Sequence, residues 1–132
     1  MRPAILAVMV ALAPAIATAQ VRHGALPAVL LGKWSQDLHR CTNLDDPVIV
    51  LSAKTYINSK VNCTIHWVSE IPSTRGTIYS AHMQCSSTTA SSDKTISNLI
   101  LLPTDNNHIL VGPGFGNLTG YERCSAEPVN PQ

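Results

Sequence analysis

The sequence has little charge, and no stretch of it carries an excess of one sign. Nine Lys and Arg residues nearly balance eight Asp and Glu residues, and charged residues make up only 13% of the 132-residue chain. Proteins that capture nucleic acid or an anionic membrane surface do so with concentrated positive charge. The charge balance therefore gives no support to nucleic-acid binding or to electrostatic attachment to a membrane.

Familiar catalytic motifs are also absent. No Gly-x-Ser-x-Gly elbow presents a nucleophilic serine, and the Ser-rich run 86–92 has the composition of a loop. The only close acids, Asp45 and Asp46, precede Pro47 and indicate a turn rather than the facing carboxylates of glycosidases. Neither Lys nor a helix follows the segment Gly112–Gly116, so it is not a phosphate loop. We predict that the protein is not an enzyme and needs no cofactor.

The one long apolar run lies at the amino terminus. Arg2 supplies a positive charge, residues 3–16 are uncharged and apolar, and Ala17–Ala19 matches the small-x-small pattern that signal peptidase recognises. Pro14 interrupts the run, which is shorter than the roughly 20 residues of a membrane span. We predict a signal peptide over residues 1–19, no membrane span in the mature chain, and a periplasmic or secreted location.

No helix-period stretch follows this leader. Short runs rich in β-branched and apolar residues alternate with clusters of Gly, Pro, Asn, Asp and Ser, which is typical of strands joined by turns. The predicted strands lie near Gly32–Gln36, Pro47–Ala53, Thr55–Asn58, Val61–Ile71, Thr77–Ser87, Thr95–Leu102, His108–Gly112 and Thr119–Cys124. A short helical turn is predicted near Asp37–Arg40. This pattern favours one antiparallel domain over residues 29–125, with an N-terminal arm (20–28) and a loose tail (126–132).

Four cysteines follow the predicted leader: Cys41, Cys63, Cys85 and Cys124. No Cys-x-x-Cys pair occurs, and the wide spacing argues against a zinc site built from thiolates. An even number of cysteines in an exported chain indicates two disulfides, which can be connected in three ways.

One predicted hairpin discriminates between these connectivities. If Cys63 lies opposite Cys85, the turn falls at Pro72–Gly76, a five-residue loop of turn-forming residues, and one face becomes mostly apolar. Directly paired strand positions lie within disulfide reach. We therefore favour Cys63–Cys85 and, by elimination, Cys41–Cys124. The alternative, Cys41–Cys63 with Cys85–Cys124, stays open at this point.

The same register makes predictions for both faces of the hairpin. Bulky side chains would fill the interior of a small barrel: Trp34, Trp67, Tyr79 and Met83. On the polar face His66 and His82 would lie opposite each other, and such a pair can bind Zn²⁺ or Cu²⁺. Two solvated surface histidines explain the same pattern more simply, so we predict no metal and keep the pair as a secondary candidate.

The residues Gly32-Lys33-Trp34, at the start of the first predicted strand, resemble the opening of lipocalin-like (calycin) barrels. In those barrels the Trp plugs the closed end, and a basic residue of the last strands often stacks on it. The resemblance implies that Arg123, within Tyr121-Glu122-Arg123-Cys124, has this role. The wider four-cysteine pattern is similar to that of small exported proteins of Gram-negative bacteria that have no assigned activity.

The first half of the chain also resembles bacterial inhibitors of secreted metalloproteases. Those proteins are small eight-stranded barrels with a Gly-x-Trp opening and a disulfide between cysteines spaced like Cys41 and Cys63. Their inhibitory element is a free N-terminal segment, to which residues 20–28 correspond. Cys85 and Cys124 do not belong to that pattern.

These observations together predict an all-β, roughly eight-stranded, lipocalin-like antiparallel barrel with two disulfides, present as a monomer. The preferred function is a protein-binding module, such as an inhibitor of an extracytoplasmic hydrolase. The alternative is a carrier of a small apolar ligand inside the barrel. Candidate contact residues are Phe115, the only Phe of the chain, together with Trp34 and Arg123. A dry cavity of a few hundred Å³ would favour the carrier, and a filled core with an exposed rim patch would favour the protein partner.

Overall fold

The computed structural model describes residues 9–14, 21–42, 48–88 and 93–124. Most of the predicted signal peptide, with its cleavage site, lies outside the described residues. So do the turn at Asp45–Pro47, the second half of the Ser-rich run and the predicted tail.

The described chain forms nine strands and two short 3₁₀ turns. The strands are β1 (Val21–His23), β2 (Gly32–Ser35), β3 (Val48–Leu51), β4 (Thr55–Ile57), β5 (Val61–Ser73), β6 (Gly76–Ser87), β7 (Lys94–Pro103), β8 (His108–Gly112) and β9 (Thr119–Arg123). The 3₁₀ turns cover Ala28–Leu30 and Leu38–Arg40. All eight predicted strands and the helical turn near Asp37–Arg40 are confirmed, whereas β1 and the first 3₁₀ turn were not predicted.

Eight of these strands close into an antiparallel barrel. Hydrogen-bonded neighbours follow the order β5, β4, β3, β2, β9, β8, β7, β6, and β6 pairs again with β5. The remaining strand, β1, pairs with residues 68–70 of β5, beyond the stretch 62–64 that pairs with β4. The prediction of an all-β, eight-stranded barrel is confirmed.

Both favoured disulfides form. Cys63 and Cys85 occupy directly paired positions of β5 and β6, with their Cα atoms 4.0 Å apart. Cys41, after the second 3₁₀ turn, is joined to Cys124 at the end of β9, with a Cα separation of 5.7 Å. These pairs exclude the alternative connectivity.

The register of the β5–β6 hairpin departs from the prediction beyond this disulfide. Residues 62–65 pair as predicted, but the register shifts by one residue between Ile65 and Trp67. A β-bulge at His66 adds this residue to β5. Consequently β5 continues to Ser73, β6 begins at Gly76, and the two-residue loop 74–75 joins them. The predicted five-residue turn is therefore wrong.

The bulge also changes which side chains face the barrel interior. On β5, Cys63 and Ile65 are buried before the bulge and Val68 after it, so Trp67 lies half-buried on the outer face. One extra residue reverses the in-and-out alternation of every later position. The predicted interior position of Trp67 is thus wrong, and so is the predicted opposition of His66 and His82, because His82 pairs with Trp67.

The barrel is filled at the end where β2 begins, which we call the closed end. The first 3₁₀ turn lies there, and Leu26 and Leu30 are buried. Trp34 is only 1% exposed, and its indole N–H donates a hydrogen bond to the Leu30 carbonyl at 3.0 Å. Burying each such side chain contributes about 2–3 kcal/mol, so this end supplies much of the stability of the barrel.

Arg123 of β9 joins the segments that meet at the closed end. Its Cζ lies 4.2 Å from the centroid of the Trp34 ring. The guanidinium also donates hydrogen bonds to the main-chain oxygens of Val29, Leu31 and Asn106. The stacking of Arg123 on Trp34 that the lipocalin resemblance implies is confirmed.

Candidate functional site

The opposite end of the barrel is open and holds a pocket of about 340 Å³. Side chains that point inward from β4 to β9 form its walls. Apolar groups surround its deeper part: Tyr56, Val61, Met83, Leu99, Val111 and the Cys63–Cys85 disulfide. Small polar side chains join them, mostly towards the mouth: Thr95, Ser97, Asn117 and Thr119. Asn98 also borders the pocket, although it shares the outer strand face with Ile96. The pocket is thus apolar at its base and polar at its mouth.

No formal charge is present among the described residues that line this pocket. Two tyrosine hydroxyls are held by neighbouring amides. The Tyr56 hydroxyl accepts a hydrogen bond from Asn58 at 3.0 Å, and that of Tyr121 accepts one from Gln36 at 3.1 Å. A neutral, polar-rimmed pocket discriminates against charged ligands, because an ion would lose hydration without gaining a counter-charge.

A wider pocket of about 590 Å³ lies beside the first, and Tyr121 borders both. Its described lining includes Gln36, Asp37 and Arg40. The charged groups of this end therefore lie next to the neutral pocket rather than within it.

The loop between β8 and β9 forms part of the rim. Pro113 and Asn117 line the pocket, and Phe115 at the loop's tip has 62% of its surface exposed. The base of the loop is tight, because a Cβ at Gly112 would clash with the Asn117 carbonyl oxygen. The structure thus separates the predicted contact residues: Phe115 lies at the open end, whereas Trp34 and Arg123 contact each other at the closed end.

The groups with shifted pKa values lie at the closed end. Burial, followed by the negative charge of Glu70, raises the pKa of Tyr79. The backbone N–H of Asn107 and then the His108 side chain lower the pKa of Asp105. A hydrogen bond to Asp105, at 2.8 Å, raises the pKa of His108. None of these three groups borders the open pocket.

The two histidines of the secondary metal candidate lie on the outer face of the barrel. Both line a small groove, but the His82 ring stacks on Trp67 rather than facing His66. Within the part of the chain that the structure describes, no three His, Cys, Asp or Glu side chains group so that they could hold a metal ion.

Three comparisons with known proteins give no match. No protein-family model matches the chain, and neither curated proteins nor solved structures include a similar one. The relationship to lipocalin-like barrels therefore stays a prediction. Among the described residues, none belongs to a helix with the length and apolar character needed to cross a bilayer.

The residues of the open pocket were largely missed by the sequence interpretation. The alternation Thr95, Ser97, Leu99 along β7 carries the signal, since these positions share one face of the strand. Polar side chains at two of the three positions look like a solvated face in the sequence. Only the folded barrel brings them around one pocket with Val111 of β8 and Thr119 of β9.

Proposed function

We propose that the protein binds a small, uncharged, amphipathic molecule in the open end of its barrel. The observation that carries this proposal is the pocket of about 340 Å³, which has an apolar base, a polar mouth and no charged group among its described lining residues. Eight-stranded barrels have room for one small ligand, and ligand pockets start at roughly 300 Å³. The ligand would place its apolar part against Met83 and Leu99 and its polar part at the mouth.

The alternative, inhibition of a hydrolase by an N-terminal arm, has less support. Residues 21–23 pair with β5 as strand β1. His23 contacts Glu70 at 2.6 Å, and the Leu26 N–H donates to the Ala53 carbonyl at 2.8 Å. An arm that enters a protease cleft would first have to break these contacts.

The disulfides and the predicted leader support an oxidising location for this binding function, in the periplasm or outside the cell. Both disulfides connect segments that build the barrel, and Cys63–Cys85 is part of the pocket wall. The lipocalin-like opening, with Trp34 under Arg123, supports the same class of small-molecule carriers.

Titration with dyes of different charge tests the proposal. We expect the oxidised protein to bind the neutral dye N-phenyl-1-naphthylamine at a 1:1 ratio with a gain in fluorescence, and to bind anionic anilinonaphthalene sulfonate at least about tenfold more weakly. The variant Thr119→Phe, which places a ring in the mouth, should lose dye binding. Thr119 lines the pocket on β9.

The matched control is Thr64→Phe, at an exposed position outside the pocket on β5. This variant should bind the neutral dye like the unmodified protein. Equal loss in both variants, or tighter binding of the anionic dye, would contradict the proposal.

A further inference from the structure

The outer face of β5, β6 and β7 carries the second tryptophan of the chain. Trp67 follows the bulge at His66, and β-bulges often re-aim a side chain near a functional position. The Trp67 and His82 rings are stacked, with centroids 4.5 Å apart and an angle of 21° between their planes. Arg22 lies over the indole, its Cζ 5.0 Å from the ring centroid. Because β1 and β6 flank β5 on opposite sides, these contacts hold the indole in a defined position.

A groove of about 160 Å³ adjoins this stack, and its lining includes His66, Trp67, His82 and Ile96. Ile96 has 88% of its surface exposed although its strand is hydrogen-bonded to a neighbour in the barrel wall. A single exposed aliphatic side chain is ordinary, but Ile96 and Trp67 line the same groove, and adjoining apolar groups of this kind mark interaction sites. The groove has room for one aliphatic or aromatic side chain.

The charge on this face is positive. Within β1, β5, β6 and β7 the only acidic residue is Glu70, which pairs across the strands with inward-facing Tyr79 and binds His23. Asp93 directly precedes β7 at the open end of the barrel, away from Arg22 and Trp67. Arg22 lies over the outer indole, and Lys94 shares a strand face with Ile96 because the two are two residues apart. A ligand for this face therefore gains most from carboxylates that flank an apolar group.

We propose that the outer patch, defined as Arg22, His66, Trp67, His82 and Ile96, docks an acidic peptide segment of a partner protein. One leucine-sized side chain of that segment would fill the groove between Trp67 and Ile96. Its carboxylates would lie beside Arg22 and Lys94. A guanidinium that stacks on an indole keeps its N–H edge free for a carboxylate, and Trp and Arg dominate the binding energy of many protein interfaces.

This docking site is separate from the proposed ligand pocket. The patch lies on the outside of the barrel wall, and Met83 is the one residue that lines both the groove and the pocket. The proposal therefore does not depend on the ligand function, and the two can fail independently.

Indole N–H signals in NMR spectra of the full oxidised protein provide a specific readout. The chain has two tryptophans: the N–H of Trp34 donates to Leu30, whereas that of Trp67 has no acceptor among the described residues. The probe is a capped pentapeptide with leucine at its centre and two acidic residues on each side. We expect it to shift the Trp67 indole and Ile96 methyl signals saturably and to leave the Trp34 signal unchanged. Replacing the leucine by alanine, or the acids by lysines, should abolish the shifts.

Two variants test the two halves of the interaction. Ile96→Thr and Arg22→Gln should each weaken peptide binding by about tenfold. The matched control Arg75→Gln changes an exposed arginine in the β5–β6 loop and should bind as the unmodified protein does. An unchanged chemical shift of the Trp34 indole N–H in each peptide-free variant verifies that the barrel is folded. Equal binding of the alanine peptide, equal weakening by Arg75→Gln, or shifts at Val111 and Thr119 instead of Trp67 would overturn the proposal.

Discussion

At the scale of single side chains, Arg123 connects several segments of the described chain. It touches one aromatic face and three main-chain carbonyls, which belong to the first 3₁₀ turn, the residue before β2 and the loop before β8. A planar guanidinium can satisfy acceptors in several directions at once, whereas an ammonium is a compact point charge. Arginine at this position therefore holds together parts of the chain that are distant in the sequence.

We predict that Arg123→Lys lowers the free energy of unfolding by about 2 kcal/mol, since the charge is kept but at least two hydrogen bonds and the stacking are lost. Urea unfolding measures this change. The matched control is Arg75→Lys, whose side chain is exposed in a loop and should change the free energy by less than about 0.5 kcal/mol. Similar values for the two variants would mean that the contacts of Arg123 add nothing beyond its charge.

The sequence was sufficient to predict the positions of some side chains but not of others. The stacking of Arg123 on Trp34 followed from a family resemblance, because both residues sit in short motifs at the two ends of the domain. Trp67 was assigned to the interior because β5 alternates regularly up to Ile65. The bulge at His66 depends on the pairing of the whole hairpin, including its two-residue loop. The residues next to His66 therefore do not predict it.

Among the elements, the loop between β8 and β9 connects the fold to the proposed function. Its base is packed so closely that Gly112 has no room for a Cβ, which would clash with the Asn117 carbonyl oxygen. Its tip is different, since a Cβ at Gly114 would meet nothing within 4 Å. The loop thus has a closely packed base that borders the pocket and an open tip that carries Phe115.

We predict that Gly112→Ala lowers the free energy of unfolding by about 1–3 kcal/mol, because a backbone group must move to admit the methyl group. Displacement of the rim should also weaken binding of the neutral dye. Thermal unfolding and dye titration measure the two effects. In the control variant Gly114→Ala both quantities should stay within error of the unmodified protein, and a loss in this variant equal to that in Gly112→Ala would contradict the prediction.

The strands themselves were predictable, because β-branched runs and turn residues are local properties of the chain. The strand β1 was missed since Val21–His23 is only three residues long and all three are exposed. Its formation depends on the unpaired stretch of β5 beyond β4, together with the Arg22–Trp67 and His23–Glu70 contacts. A strand of this kind exists only when its neighbour is already in place.

For the molecule as a whole, the two disulfides constrain the chain very differently. Cys41–Cys124 closes a segment with a sequence separation of 83, and Cys63–Cys85 one of 22. In the chain-entropy model the stabilisation grows with the length of the closed loop. The longer loop includes nearly the entire barrel, so its disulfide removes more freedom from the unfolded chain.

We predict that Cys41→Ala with Cys124→Ala lowers the free energy of unfolding by about 4–5 kcal/mol, and Cys63→Ala with Cys85→Ala by about 3 kcal/mol. Urea unfolding of the two double variants, compared with the oxidised protein, measures this order. The reverse order would show that packing of the Cys63–Cys85 pair in the pocket wall outweighs chain entropy.

Local chemistry already determined the strands and the Cys63–Cys85 pairing, because alternation and the opposed cysteines of one hairpin are properties of short stretches of chain. Cys41–Cys124 followed only by elimination, since its two cysteines are 83 residues apart. The open pocket and the outer patch required the closed barrel. Polar Thr95 and Ser97 become pocket walls only when the inner faces of β4 to β9 enclose a common space, and Trp67 becomes a surface group only through one extra residue in β5. Both features depend on the relative free energies of whole-sheet arrangements, which no short segment of the chain specifies.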